Sequence, residues 1–117
     1  MDLSGKWHSS YQYSGGSRDL SSEHIVNFVQ TGNGLNGKSD PQDDESRLIV
    51  ELIIDDKIAT GIWEEHTSPT GHYKAAVFHG AIQLVVSEDG SNMTGQWVGF
   101  NSNRTKVNSG KWSFSRV

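Results

Sequence analysis

All four tryptophans of the chain stand two residues after a glycine, in Gly5-Lys-Trp7, Gly61-Ile-Trp63, Gly95-Gln-Trp97 and Gly110-Lys-Trp112. On a strand, residues two apart share a face, so each motif sets a missing side chain beside a large ring. Glycine within a strand marks a bend or a close backbone approach, and a neighbouring indole can cover the main chain exposed there. A strongly curved or closed sheet is predicted. The intervals between motifs are unequal, which argues against a solenoid or propeller and for the strands of one irregular barrel.

A chain of 117 residues holds one domain, 1–117, and is too short for two separate cores. Only 33% of residues are apolar and 13 are glycine, so the core must be thin, and a sheet curled around a partly polar interior suits this better than a helical bundle. There is no cysteine, which excludes disulfides, thiolate chemistry and cysteine-bound zinc. A cytoplasmic setting is expected, with the sequons at Asn92-Met-Thr94 and Asn103-Arg-Thr105 read as chance for want of a signal peptide. No apolar run approaches the length of a membrane span.

The net charge of −4 is unevenly spread. Acidic residues gather at Asp40, Asp43, Asp44 and Glu45, whereas Arg104, Lys106, Lys111 and Arg116 follow the last acidic residue, Asp89. Bulk nucleic-acid binding needs a broad basic face that this chain lacks. A small anionic ligand needs only a local positive patch, although basic residues on the last strands can equally well face solvent.

Turn chemistry divides the sequence into short strands. They are predicted at 7–13, 24–30, 35–39, 47–54, 58–67, 72–86, 93–101 and 107–117, with 72–86 either one strand bent at Gly80 or two. Gly32-Asn33-Gly34, Asp55-Asp56-Lys57, Ser68-Pro69-Thr70-Gly71 and Glu88-Asp89-Gly90-Ser91 supply turns. The polar stretch 14–22 has room for a turn of helix. Eight or nine sequential antiparallel strands without a long crossover predict an all-β, single, small antiparallel up-and-down (calycin-like) β-barrel of about eight strands.

A barrel of that size is either filled by its side chains or just able to hold one small ligand. The tryptophan faces also carry Tyr11, Tyr13, Glu65, Gly99 and Asn108 in period-two register, a mixture closer to a pocket lining than to a dry core. Tryptophans beside strand glycines can also serve the backbone alone. Glu64-Glu65-His66, His72 and His79 form the densest polar cluster, yet regular strands send Glu64 and His66 to one face, Glu65 to the other, and His72 and His79 apart. No metal or other cofactor is expected, and no catalytic residue is assigned, because a nucleophile elbow and phosphate-cradling loops are missing. The segment 79–104 instead offers His79, Gln83, Trp97, Asn101, Asn103 and Arg104, groups that could stack on a base, read its edge and meet a phosphate.

The stretches Gly61-Ile-Trp-Glu-Glu-His-Thr-Ser-Pro-Thr-Gly71, His79-Gly-Ala-Ile-Gln-Leu84, Met93-Thr-Gly-Gln-Trp-Val-Gly-Phe100 and Val107-Asn-Ser-Gly-Lys-Trp112 resemble a sensor-type C-terminal domain of bacterial helix-turn-helix regulators. Leu3-Ser-Gly-Lys-Trp7 and Glu23-His24 extend that resemblance over nearly the whole chain. More distantly, the order of Leu-x-Gly-x-Trp, His79-Gly80, Asp89-Gly90, Gly95 and Arg104-Thr105 is similar to the cyclic-nucleotide-receptor β-barrel of two-transmembrane antiphage effectors of the CBASS type. The resemblance implies a bacterial antiviral or regulatory sensor that binds a cyclic oligonucleotide, with Arg104 and Thr105 as leading contacts and His79 in support.

A non-catalytic, ligand-sensing barrel is therefore expected, with Tyr11, Trp63, His79, Trp97, Asn101, Arg104 and Thr105 contacting a small anionic nucleotide-type signal. The alternatives are a protein-interaction module with a packed barrel, or a carrier of a small apolar ligand. Strand edges with little charge protection leave room for a homodimer.

Overall fold

A computed structural model of the chain describes residues 1–15, 18–40, 46–70 and 76–117, with only the main chain given for 14, 15 and 18–20. Eight strands follow in sequence: β1 (Gly5–Gly15), β2 (Arg18–Thr31), β3 (Gly34–Ser39), β4 (Arg47–Asp55), β5 (Ile58–His66), β6 (Val77–Val86), β7 (Asn92–Phe100) and β8 (Val107–Arg116). Each pairs antiparallel with its neighbour, and β1 returns to β8 from Trp7↔Arg116 to Tyr11↔Trp112, closing an up-and-down barrel. Closure pairs every strand on both sides, and the β1–β2 hairpin runs on beyond β8 and β3 to Gly15↔Arg18.

Three expectations change in detail. Where a turn of helix seemed possible in 14–22, the paired strands run on to Gly15↔Arg18, because extending a long hairpin satisfies the backbone as well as a helical turn would; residues 16–17 lie outside the described chain. The segment 72–86 contributes one strand, Val77–Val86, and His72 with Gly71 falls outside the described residues, as do Asp43, Asp44 and Glu45. The glycines preceding the tryptophans are not covered by their own rings. Register sets Trp63 opposite Gly80 and Trp97 opposite Gly110, so each indole lies over a glycine of the following strand.

The same glycines explain the tight curvature. A methyl group at Gly61, Gly80, Gly95 or Gly110 would overlap a main-chain carbonyl oxygen of a neighbouring strand, respectively that of Glu51, Val98, Gln83 or Gln12. The backbones approach that closely only because no Cβ intervenes. All four sites fall on β5 to β8.

Alternation then decides what faces in. Leu48, Val50 and Leu52 of β4 are buried while Glu51 and Ile53 are exposed, and β6 likewise buries Ile82, Leu84 and Val86. At the end holding both chain termini aromatic and aliphatic side chains pack together, with a smaller hollow of about 360 Å³ bounded by Leu3, Gln30, Ile54 and Val86. Trp7 meets Phe28 edge-on at 6.3 Å, Phe28 meets Phe114 at 5.4 Å, and Leu35, Leu52, Leu84 and Met93 are buried with them. Buried Leu3 extends this plug, its carbonyl accepting the Trp7 indole N–H at 2.9 Å. Arg116 fastens the end by lying over the Trp7 ring at 4.6 Å while donating to the carbonyls of Asp2, Ser4 and Gly90. Two connections at this end are short, Gly32-Asn33 and Asp56-Lys57 each joining two strands directly, and the third, between β6 and β7, spans 87–91.

Candidate functional site

The opposite end, where β3, β5 and β7 finish and β4, β6 and β8 begin, is not filled. A cavity of about 470 Å³ opens there, within the range of small-molecule sites. Its aromatic wall is Trp63 on β5, Trp97 on β7 and Trp112 on β8, with Tyr11, Tyr13, Phe78 and Phe100 around it. The three indoles interlock, Trp63 lying 5.7 Å from Trp97 and 5.9 Å from Trp112 in edge-to-face contacts.

Each indole N–H is held by the barrel itself. Trp97 donates to the Gln12 carbonyl at 2.8 Å, Trp112 to the Ser9 hydroxyl at 2.8 Å, and Trp63 to the carbonyls of Ala81 and Val98 at 3.1 and 3.2 Å. The glycines opposite make this reach possible: the Trp63 indole passes over Gly80 to β7, and the Trp97 indole over Gly110 to β1. Anchored in this way the rings cannot reorient freely, so they present fixed carbon surfaces for stacking.

A polar group adjoins this wall on β5. Glu65 is buried and lines the cavity together with Tyr11 and Ser22, and Glu65 and Ser22 both act on the Tyr11 hydroxyl. Burial, followed by the adjacent Glu65 carboxylate, drives the Tyr11 hydroxyl far above the ordinary tyrosine range, which fixes it as a neutral donor. His24 approaches the same carboxylate, Nε2 to Oε2 at 3.7 Å, shares a 2.7 Å hydrogen bond with Ser46, and stacks on Tyr11 with an 8° interplanar angle. The ring–hydroxyl–carboxylate set is thus positioned by β1, β2 and β5 together.

Of the residues expected to meet a ligand, Tyr11, Trp63, Trp97 and Asn101 line the cavity. His79, Arg104 and Thr105 do not. His79 is an exposed β6 residue whose ring touches the edge of Phe100 at 5.0 Å, because the alternation that turns Phe78 inward turns its neighbour out. Arg104 occupies the β7–β8 loop with φ of 58° and lies outside the cavity lining, its guanidinium 4.7 Å over Phe100, itself a lining residue. Thr105 is consumed by the loop's own bonds to Asn101 and Asn103. The lysine two residues on, Lys106, is the one that lines the mouth. Tyr13, Glu65 and Asn108, read from period-two register, also line the cavity, and Gly99 lies beneath the Trp63 and Trp97 rings.

Sequence reasoning passed over Ser22 and His24, whose alternation with Val26 and Phe28 on β2 is the signal that both face inward. It also passed over the polar lining from the connections, Ser46, Thr67, Ser68 and Ser102, where no periodicity operates. Among the described residues no group of three or more histidines and carboxylates could hold a metal ion, and no helix is long and apolar enough to cross a membrane. Comparisons with protein-family models, curated proteins and solved structures give no match to this chain.

Proposed function

We propose that this barrel is a non-catalytic receptor for a nucleotide-type small ligand, held in the open end between the tryptophan wall and the Glu65 side. The observation that carries this reading is the half-filled interior: the apolar plug stops short, and beyond it anchored rings surround a cavity of about 470 Å³. Polar and aromatic lining in that proportion suits a planar, hydrogen-bonding ligand better than a plain hydrocarbon, since a buried carboxylate disfavours apolar cargo. Space in the interior also favours this over an interaction module with a packed barrel. Lys106 on the lining and Arg104 at the rim supply positive charge where a phosphate would emerge. The expected role is that of a bacterial sensor whose ligand is a mononucleotide, cyclic dinucleotide or cyclic oligonucleotide.

Tryptophan fluorescence and thermal unfolding against a panel of those three ligand classes test the reading. A ligand at a hundredfold excess over its Kd adds about 2.7 kcal/mol, a shift of several degrees in Tm. Lys106→Met is expected to weaken a binding nucleotide about tenfold, and Arg104→Ala less, because Arg104 lies outside the lining. A flat response across the panel would move the assignment to another ligand class.

A further inference from the structure

Two features of the open end are set against each other in charge and in burial. The carboxylate of Glu65 is interior, its side chain 11% exposed, whereas Lys106 and Arg104 belong to the exposed β7–β8 loop. Among the described residues, a phosphate directed inward would meet Glu65 without a lysine or arginine paired to it, and His24 is the basic group that approaches that carboxylate. A nucleotide is therefore favoured in one orientation only, base inward and phosphate outward.

That orientation specifies what the base must offer. A carboxylate only accepts hydrogen bonds, and its two oxygens provide about four lone-pair positions. The Tyr11 hydroxyl interacts with Glu65 and His24 Nε2 stands 3.7 Å from its Oε2, while the carboxylate itself lines the cavity. The indole N–H groups are committed to the barrel, so they add no donors that would favour a base acceptor. Guanine presents two adjacent donors, N1–H and the N2 amino group, on one edge of a plane that can stack on tryptophan. Adenine and the pyrimidines lack that pair.

Building on the nucleotide reading above, we infer that Glu65 is the base-selecting residue of the cavity and that the ligand carries a guanine-type base, its N1–H and N2–H edge donated to the Glu65 carboxylate against the tryptophan wall. Tyr11 and His24 act through Glu65 as positioning residues.

Calorimetric titration of the full chain with guanosine, inosine, adenosine and uridine 5′-monophosphates tests this, in parallel with Glu65→Gln and with tryptamine as a non-nucleotide aromatic amine. The guanosine form is expected to bind about tenfold or more tighter than the inosine form, which lacks the N2 amino group, and tighter still than the other two. Glu65→Gln, its fold checked by near-ultraviolet circular dichroism, is expected to bring guanosine and inosine forms within about threefold of each other. Equal binding of all four bases would overturn the assignment of Glu65 while leaving the nucleotide reading in place. Saturable binding of tryptamine with no nucleotide response, or no response to any probe, would overturn both. Should Glu65→Gln not fold, the ranking of the four nucleotides by the unmodified chain decides by itself.

Discussion

At the end of the barrel that holds both termini, Trp7, Phe28 and Phe114 pack ring against ring, while at the other end Trp63, Trp97 and Trp112 stand around a cavity of about 470 Å³. Both ends are made by inward alternation on the same eight strands. What separates them is the company the rings keep. The filled end surrounds its aromatics with Leu35, Leu52, Leu84 and Met93; the open end replaces such aliphatics with Glu65, His24, Ser22 and Asn108. Close packing is thereby concentrated at one end and polar-lined space at the other, an arrangement that would give a site a rigid support.

Phe114 is buried at the filled end between Phe28 and Trp112. Truncation to alanine in a close-packed interior removes transfer energy and leaves a void, so Phe114→Ala is expected to destabilise the barrel by about 3–5 kcal/mol in urea unfolding. If the loss were below about 1 kcal/mol, the filled end would not be the support described.

A smaller effect is expected from Arg116→Met, which keeps an aliphatic stem over Trp7 but removes the donors to Asp2, Ser4 and Gly90. These bonds are partly exposed, so a loss of about 1–2 kcal/mol is expected. Hydrogen exchange of the amides of Leu3, bonded to Gln30, and of Gln30, bonded to Ser4, should accelerate in that variant more than amides near the cavity. Uniform acceleration would instead show that the two ends open together.

The smallest effect belongs to the turn between β6 and β7. Asp89 accepts hydrogen bonds from the Ser91 hydroxyl and amide and from the Ser87 hydroxyl, which lower its pKa from 3.8 to about 2. A depressed folded value means that this contribution is present above pH 3.8 and is lost as the pH falls through about 2. Asp89→Asn should flatten the acid limb of the stability curve in that window and leave the neutral region nearly unchanged. A steep acid limb retained in the variant would assign it to other carboxylates.

The barrel was legible because its causes are local and periodic. Gly61, Gly95 and Gly110 marked tight curvature, Leu48 to Leu52 showed which β4 face was interior, and Gly32 and Asp89-Gly90 marked turns. Period two also placed Tyr11, Tyr13, Glu65 and Asn108 on the cavity side. Register was less legible, since nothing local in Gly95-Gln-Trp97 reveals that this ring will cover Gly110 on the next strand. Arg104 shows another limit. Charge and residue type suggested a ligand contact, but the positive φ of the loop puts its guanidinium over Phe100 and leaves Lys106 at the lining. His79 was displaced by its parity on β6, as Phe78 took the inward position.

Trp7 and the other three tryptophans give this division of labour an internal control. The most direct measurement is a nuclear magnetic resonance titration of the four indole N–H signals with guanosine 5′-monophosphate. Saturable shifts at Trp63, Trp97 and Trp112 with Trp7 unmoved are expected. Four unmoved signals, or a response centred on Trp7, would contradict a nucleotide site in the open end.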